Sequence, residues 1–407
     1  MSLFLFTGGW VLDPRDGRPR GGVEVLVEGK VIREVSDRPI RSEAATRIPL
    51  GGRVLMPGLI DAHVHVVAAM ANLAANALQP SSLAAFRTAE VMRGMLMRGF
   101  TTVRDLAGAD RGLADAQALG LFDGPRLIIC GKALSQTGGH SDGRARSDNR
   151  APPERRVGTM GRLVDGVDAV RRAAREELRE GADFIKVMAN GGVASPTDPI
   201  HMLQFSRDEL KAAVEEAENS GTYVSAHLYT DEGIRRAVEC GVHSLEHCNL
   251  ITEATARFAA EQGAFAVPTL VTYDKLSSEG EELGIGAEAV AKVDDVRLAG
   301  MESLARMQAA GLPMAYGSDL LGAMHRHQSE EFVIRGRVLP PQMVIAAATH
   351  IAAKLCRMEG RIGTVAAGAH ADLIVVDGNP LEDLSLLTFQ GRHMPMILKG
   401  GVFMKGG

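Results

Sequence analysis

Short apolar runs alternate with stretches of helical periodicity through the middle of this chain, from about Leu55 to Gly363. Strands that alternate with helices in this way are typical of βα units and a parallel sheet. Eight candidate strands can be counted: Leu59–Val66, Phe100–Asp105, Arg126–Cys130, Phe184–Met188, Tyr223–His227, Ser244–His247, Phe265–Leu270 and Met314–Asp319. Helical stretches lie between them, for example Leu83–Arg98, Asp168–Glu180, Arg207–Asn219, Asp231–Cys240 and Glu288–Ala310. Eight units over about 300 residues predict an α/β fold of the (β/α)8 TIM-barrel type.

The two ends of the chain have a different pattern, in which short strands are separated by glycine-containing turns. Strands are predicted at Leu3–Thr7 and Val23–Glu28 near the start, and at Ala371–Val376 near the end. Neither end is long enough to bury a core of its own. We therefore expect one small β-sandwich domain built from residues 1–55 plus 365–407, with the barrel spanning residues 56–364.

Composition and one long loop narrow the class of protein. The formal net charge of −5 argues against a nucleic-acid-binding surface. No apolar run approaches the roughly 20 residues needed to span a bilayer. The four cysteines form no CxxC pair, which favours a reducing, cytoplasmic environment. Separately, we expect a homo-oligomer. The longest irregular stretch is residues 134–163. Loops of this length are usually functional or mobile, and the sequence leaves open whether this one closes over a substrate.

Ionisable residues stand at the ends of the predicted strands, where a TIM barrel carries its active site. His63 and His65 are two apart on the first strand, so both side chains point to one face and can bind a single ion. Four further strands carry ligand-type residues: Lys186, His227, His247 and Asp319. Four imidazoles and a carboxylate suit zinc or a neighbouring first-row metal better than magnesium or calcium.

Lys186 lies inside an otherwise apolar strand, where a lysine is costly unless it is paired or chemically altered. Carboxylation of the amine by CO2 would turn it into a carboxylate that can bridge two cations. Ordinary explanations exist for each residue alone: a strand lysine can extend to the rim, and an aspartate after a strand often caps a helix. Ligand-type residues on five strands together favour the metal site.

Two motifs resemble those of the amidohydrolase superfamily. Residues 57–65, Pro-Gly-Leu-Ile-Asp-Ala-His-Val-His, resemble its first-strand signature, and residues 368–376, Gly-Ala-His-Ala-Asp-Leu-Ile-Val-Val, resemble its closing β-domain motif. The resemblance covers essentially the whole chain, and the six ligand-type residues occur in the expected order.

The resemblance implies a metal-dependent amidohydrolase with a dinuclear centre of the carboxylated-lysine type. One divalent ion, expected to be zinc, would have four protein ligands: His63, His65, carboxylated Lys186 and Asp319. The other would have His227 and His247, with Lys186 and a hydroxide bridging the pair. Two metals make hydroxide available near neutral pH, and Asp319 would pass its proton to the leaving amine.

Two segments resemble a narrower group, the Xaa-Pro dipeptidase-like enzymes related to imidazolonepropionases. They are residues 135–140, Ser-Gln-Thr-Gly-Gly-His, and residues 227–230, His-Leu-Tyr-Thr. The resemblance implies a small-molecule substrate, a dipeptide or N-acyl amino acid with a free C-terminal carboxylate. His140 and Tyr229 match positions that bind this carboxylate, and His325, after the eighth strand, is placed to contact substrate. An ordinary loop histidine and a rim tyrosine are the competing interpretations.

Two other functions stay open on the sequence alone. The same metal centre suits the hydrolysis of a cyclic amide, an imidazolone or a lactone ring, and the scaffold also suits a catalytically silent assembly protein. The complete ligand set argues against the silent protein, and His140 with Tyr229 favours a substrate that has an α-carboxylate. The sequence does not define the leaving amino acid, the native metal or the oligomeric state.

Overall fold

A computed structural model describes residues 2–151, 156–193, 198–284 and 287–406. Its strands are β1 (Leu3–Thr7), β2 (Trp10–Val11), β3 (Arg20–Gly21), β4 (Glu24–Glu28), β5 (Val31–Ser36), β6 (Thr46–Pro49), β7 (Val54–Pro57), β8 (Leu59–Val64), β9 (Phe100–Asp105), β10 (Arg126–Ile129), β11 (Ala133–Ser135), β12 (Gly161–Leu163), β13 (Ile185–Met188), β14 (Val224–Thr230), β15 (Ser244–Leu250), β16 (Phe265–Val267), β17 (Leu373–Val376), β18 (Met396–Lys399) and β19 (Val402–Lys405). Its α-helices are α1 (Leu73–Ala77), α2 (Ser81–Met97), α3 (Arg111–Ala118), α4 (Val167–Arg179), α5 (Arg207–Asn219), α6 (Asp231–Glu239), α7 (Glu253–Glu261), α8 (Leu270–Glu279), α9 (Ala287–Ala309), α10 (Glu330–Gly336), α11 (Pro341–Ala347) and α12 (His350–Leu355).

Two parallel sheets occupy the middle of the chain. One has the strand order β10-β9-β8, and the other has the order β12-β11-β13-β14-β15-β16. Helices α5, α6 and α7 connect consecutive strands of the larger sheet. The predicted α/β class and the βα alternation are therefore confirmed. β8 and β13 are buried along their whole length, as expected of parallel strands that helices cover.

The seventh predicted strand is shorter than its apolar run. β16 ends at Val267 and not at Leu270, where α8 already begins. Pro268 has no N–H for the strand ladder, so it ends the strand. Thr269 consequently lies at the junction of β16 and α8, close to the polar strand ends.

The eighth predicted strand, Met314–Asp319, is wrong as a regular strand. It forms one bridge, between Ala266 and Met314. Its backbone still lies between the two sheets, because Ala315 N donates to Ala266 O (2.9 Å) and Ala62 N donates to Tyr316 O (2.7 Å). The segment therefore joins β16 to β8 through isolated hydrogen bonds.

Both chain ends contribute to two further sheets, ordered β5-β4-β1-β6 and β19-β18-β17-β7-β2-β3. The second sheet pairs β17 antiparallel with β7, so strands from the two ends are neighbours. Apolar side chains from both ends share one cluster, which includes Phe6, Val25, Leu55, Leu373, Val375 and Leu398. Asp13 adds a polar link, since its Oδ2 accepts from Thr364 Oγ1 (2.5 Å) and Val365 N (3.0 Å).

The stretch 134–163 is partly regular, although the sequence suggested an irregular loop. Ala133 pairs with Gly161 as β11 and β12 run parallel, while residues 152–155 lie outside the described residues. Arg144 is paired with Asp142 at 2.7 Å, which favours a structural role for that arginine. Among the helices of the described residues, none combines the length and apolar character needed to cross a bilayer.

Candidate active site

The end of β8 and the segment after Met314 bring His63, His65 and Asp319 together. Nε2 of His63 lies 3.3 Å from Oδ1 of Asp319, and Nε2 of His65 lies 3.0 Å from the same oxygen. One ligand atom from each residue lies within 4.8 Å of the other two. Both imidazoles are buried. The three side chains therefore converge at a spacing that suits a single metal ion.

The backbone around Asp319 is held in an uncommon conformation. Asp319 has a left-handed φ of 52°, which costs energy in a non-glycine residue unless its surroundings enforce it. Asp319 N donates to His63 O (2.9 Å), and Ser318 Oγ donates to Asp61 Oδ2 (2.5 Å). A Cβ on Gly317 would lie 2.8 Å from Cβ of His63, so the glycine permits this close approach.

The charge state of Asp319 is set by its neighbours. Burial alone would raise the pKa of this carboxyl group, but the imidazoles of His63 and His65 outweigh burial and hold the pKa well below its usual range. The side chain is consequently a carboxylate at neutral pH. An ionised carboxylate can serve as a metal ligand and can accept a proton.

Lys186 lies within β13 with only 1% of its surface exposed, so it does not extend to the rim. Burial lowers the pKa of its amine to about 8. Within the described part of the chain, its Nζ makes no hydrogen bond or ion pair. Its charge influences the pKa values of both His227 and His247. The lysine therefore lies close to the polar cluster, in the environment expected of an amine that reacts in its neutral form.

His227 and His247 form a second histidine pair on neighbouring strands. Their ring centroids are 4.6 Å apart, and His247 is 4.9 Å from His63. Nε2 of His227 lies 3.3 Å from the carbonyl of Gly191, and Nδ1 of His247 lies 2.8 Å from Oγ1 of Thr269. Those contacts leave Nδ1 of His227 and Nε2 of His247 for a metal.

The two imidazoles of this pair are neutral. Burial is the main reason that the pKa values of His227 and His247 are well below the usual range, and the nearby Lys186 adds to the effect. Neutral imidazole is the form that binds metal ions. The donor set of this pair and of the His63 cluster therefore fits divalent transition metals.

Glu246 is a buried part of the site that the sequence analysis missed. Its carboxylate accepts from Nδ1 of His63 (2.9 Å), from Nη2 of Arg104 (2.8 Å) and from two serine hydroxyls. The contact with Nδ1 fixes the tautomer of His63 and aims Nε2 at Asp319. Residues 246 and 247 would face opposite sides of a regular strand, but the left-handed φ of 72° at His247 breaks that alternation, and no sequence pattern marks such a break.

His140 lies against His227, with ring centroids 4.1 Å apart and planes inclined by 21°. Its Nδ1 is 3.3 Å from Oδ2 of Asp198, and its backbone N–H donates to Oε1 of Gln204 (2.9 Å). A Cβ on Gly192 would overlap the imidazole. The ring is thus held by a carboxylate on one side and a glycine on the other, and sequence analysis identified only the histidine.

Tyr229 is buried beside both histidines of the second pair, and does not lie on the rim. Its ring stacks on His247 at 5.3 Å and meets the edge of His227 at 4.8 Å. Burial raises the pKa of its hydroxyl group, so the group stays protonated and can donate. The hydroxyl oxygen is 3.1 Å from that of Tyr273, a residue that the sequence analysis did not single out.

The loop after Asp319 places its two histidines differently. His325 is buried, and its Nε2 donates to Ala68 O (3.1 Å). Burial lowers the pKa of His325 to about 3, so this imidazole is neutral. His327 lies between the carboxylates of Glu279 (2.8 Å) and Glu330 (2.5 Å), which gives it a structural role in joining α8 to the loop.

Similar proteins match this chain over nearly its whole length. Ochratoxinase of Aspergillus niger is 32% identical over 419 residues, which cover 97% of this chain and 85% of the relative. A solved prolidase complexed with N-methylphosphonate-L-proline is 49% identical with a TM-score of 0.98. A solved Xaa-Pro dipeptidase with methionine bound in its active site is 27% identical with a TM-score of 0.88. Both structures match over 100% of this chain and 100% of their own.

The family assignment follows from the site and from the extent of the match. A family of this kind generally uses divalent metals, and the cluster of His63, His65 and Asp319 has the corresponding donors. The model of the amidohydrolase family matches residues 54–402, a span that includes every ligand-type residue described above. This chain is a hydrolase that belongs to the amidohydrolase family.

Proposed function

We propose that this amidohydrolase cleaves the amide bond of dipeptides or N-acyl amino acids that have a free C-terminal carboxylate. The observation that carries the proposal is the stacking of His140 on His227 and of Tyr229 on His247. A carboxylate bound by His140 and Tyr229 would bring the adjacent amide bond to the metal ligands. The ligands of the two similar structures, N-methylphosphonate-L-proline and methionine, support an amino-acid-like substrate.

The centre would be dinuclear, with two divalent ions, and zinc suits its ligands best. The first ion would be held by four side chains: His63, His65, Asp319 and Lys186. The second would be held by His227 and His247, with Lys186, carboxylated by CO2, shared between the ions. Neutral imidazoles and a lysine whose pKa is lowered to about 8 support this assignment. Bound metals would polarise the scissile carbonyl and make water more acidic.

Asp319 would be the catalytic residue for proton transfer. Its pKa, which is well below the usual range, keeps it ionised and ready to accept a proton from the attacking water. Amide cleavage requires that the departing nitrogen be protonated, so the same side chain would return the proton to it. Its position 3.0 Å and 3.3 Å from two imidazole nitrogens supports a group that is held in place during both transfers.

Substrate contacts would extend beyond His140 and Tyr229. We include His325 as a substrate-contacting residue, because its neutral imidazole is near enough to His65 and Asp319 for their charges to act on it. Its Nε2 donates to Ala68 O, so a polar contact with substrate would be made through Nδ1. His325→Ala should raise KM for every substrate alike, since this residue is not assigned to the carboxylate.

We also propose a closed barrel, a separate β-sandwich domain and a homo-oligomeric assembly for this protein. The backbone bonds from Met314–Asp319 to both parallel sheets support closure into a (β/α)8 barrel of residues 56–364. The shared core of the two chain ends supports a β-sandwich domain of residues 1–55 and 365–407. We further infer a homo-oligomer, to be tested by sedimentation. Four buried, unpaired cysteines support a cytoplasmic location.

A substrate panel tests the proposed function. Zinc-loaded enzyme in bicarbonate buffer would be assayed on dipeptides and N-acyl amino acids, each paired with its C-terminal amide, together with cyclic amides, imidazolones and lactones. We expect kcat/KM for the best acid to exceed that of its amide by roughly 10- to 100-fold, the range expected of a hydrogen bond to a charged group. A ring compound as the best substrate would establish the alternative ring hydrolase instead.

Two variants locate the carboxylate contact. His140→Ala and Tyr229→Phe should each raise KM for the acid by about tenfold and leave the amide nearly unchanged. An equal loss on the acid and on the amide in both variants would contradict the assignment.

A further inference from the structure

A hydrogen-bond chain leads from one proposed metal ligand to the proposed carboxylate-binding tyrosine. It starts at Nδ1 of His247, which lies 2.8 Å from Oγ1 of Thr269. Thr269 Oγ1 is 3.5 Å from the hydroxyl oxygen of Tyr273, and this oxygen is 3.1 Å from that of Tyr229. All four side chains are buried. The chain therefore connects two groups of the site without passing through solvent.

The backbone holds the middle of this chain in place. Thr269 is the residue that precedes α8, and Tyr273 lies four residues later, so both side chains lie on one face of the first helical turn. Val271 N donates to the buried carboxylate of Glu331 (2.6 Å), which anchors that turn to α10. The ring of Tyr273 also meets the edge of Tyr229, with centroids 6.0 Å apart.

The chain has a direction because each hydroxyl group has one hydrogen to donate. When Nε2 of His247 is a metal ligand, its Nδ1 carries the hydrogen and donates to Thr269. Thr269 then donates to Tyr273, and Tyr273 donates to Tyr229. The hydrogen of Tyr229 is then left to donate to a group outside these four side chains.

We infer that Thr269 and Tyr273 are positioning residues that set Tyr229 as a hydrogen-bond donor to the substrate carboxylate. A carboxylate has two charged oxygens that only accept hydrogen bonds, whereas a terminal amide has one neutral carbonyl oxygen and a nitrogen that only donates. The oxygen of Tyr229 already accepts from Tyr273, so it favours the carboxylate over the amide nitrogen. This inference rests on the proposed function, because it requires a carboxylate beside Tyr229.

Tyr273→Phe removes one hydroxyl group from the chain and keeps the ring. On the best acid of the panel, KM should rise about tenfold with little change in kcat, while KM for the matching amide should stay nearly constant. The ratio of kcat/KM for acid over amide therefore falls about tenfold. Calorimetric titration with N-methylphosphonate-L-proline gives a readout other than activity, and its Kd should rise by a similar factor.

Three further substitutions distinguish an effect of this hydrogen-bond chain from an effect on general packing. Thr269→Val cuts the chain one step earlier and should lower the acid-to-amide ratio in the same direction, whereas Thr269→Ser keeps a hydroxyl group and should restore it. Tyr316→Phe is the matched control, because the buried hydroxyl of Tyr316 donates to Gln328 O (2.6 Å) and takes no part in this hydrogen-bond chain. That control should lose comparable thermal stability and keep the wild-type ratio.

The outcomes distinguish the inference from the proposed function beneath it. An unchanged ratio in both Tyr273→Phe and Thr269→Val overturns the inference, and so does an equal loss on acid and amide. In either case a wild-type enzyme that prefers the acid still supports the proposed function. A wild-type enzyme that hydrolyses acid and amide equally overturns both.

Discussion

Replacing Glu246 by Gln would test how the buried network supports the proposed metal ligands. The carboxylate of Glu246 is fully buried, with Arg104 at 2.8 Å and Nδ1 of His63 at 2.9 Å. Glutamine has nearly the same shape but no charge. The substitution therefore leaves the packing in place and removes the charge that pairs with Arg104 and orients His63.

Glu246→Gln should lower both the stability of the fold and the affinity for metal. Leaving a buried charge without its partner costs about 3–5 kcal/mol, and the bonds that Arg104 makes to Tyr223 and Ser244 favour the lower end of that range. Loss of the partner that orients a metal-binding histidine typically weakens metal affinity by about 10- to 100-fold. We expect Glu246→Gln to fold, to unfold at lower urea concentration, and to lose zinc to a chelator at least tenfold more readily.

Glu331→Gln is the matched control for this experiment. Glu331 and Arg335 form another fully buried pair at 2.7 Å, but their hydrogen bonds go to the backbone of Val271, Ala315 and Pro268. Glutamine keeps an oxygen that can accept from Val271 N, so the turn that holds Thr269 beside His247 stays anchored. This variant should therefore lose stability and keep the wild-type zinc affinity. If Glu246→Gln and Glu331→Gln hold zinc equally well, orientation of His63 by Glu246 is refuted.

The remaining predictions concern the support of His140 and the junction of the chain ends. Gly192→Ala should lower kcat/KM for acids by about 10- to 100-fold, because the added Cβ displaces His140. Gly143→Ala is the control and should change kcat/KM little, since a Cβ there has nothing within 4 Å. Equal kinetics for the two variants would contradict a supporting role of Gly192. At Asp13, burial opposes ionisation, but hydrogen bonds from Arg15 and Thr364 outweigh it and lower the pKa from 3.8 to about 2. The stabilisation is therefore complete above pH 3.8 and is lost as the pH falls toward 2. Asp13→Asn should lose about 1 kcal/mol of unfolding free energy at neutral pH, because solvent screens the exposed Arg15. As the pH falls from 3.8 to about 2, its unfolding free energy should fall less than that of the wild type in urea titrations. An equal fall in the two proteins would contradict this.

The positions of the strand-end residues that form the candidate site were predictable because two simple rules apply to them. Side chains two residues apart share one face of a strand, which paired His63 with His65, and parallel strands present their carboxyl ends together. His227 and His247 follow the same logic on β14 and β15. The confirmed α/β class has a similar origin, since βα units show clearly as alternating apolar runs and helical periodicity.

The supporting residues were not predictable, because their roles depend on contacts distant in the sequence. Glu246 reaches His63 across 183 positions, and its orientation depends on the left-handed backbone at His247. Tyr273 lies in a helix that begins where the sequence suggested a strand. Asp198 meets His140 only because Gly192 leaves space for the ring. Such contacts have no period or motif along the chain.

A zinc titration of metal-free enzyme in bicarbonate buffer tests whether the proposed centre holds two metal ions and depends on Lys186. Bound zinc and hydrolysis of the best acid would be measured together, in the wild type and in Lys186→Ala. Wild-type activity should rise until two equivalents of zinc are bound, whereas Lys186→Ala should bind fewer and remain nearly inactive. Full activity of the wild type at one equivalent, or full activity and metal content in Lys186→Ala, would contradict the proposed centre.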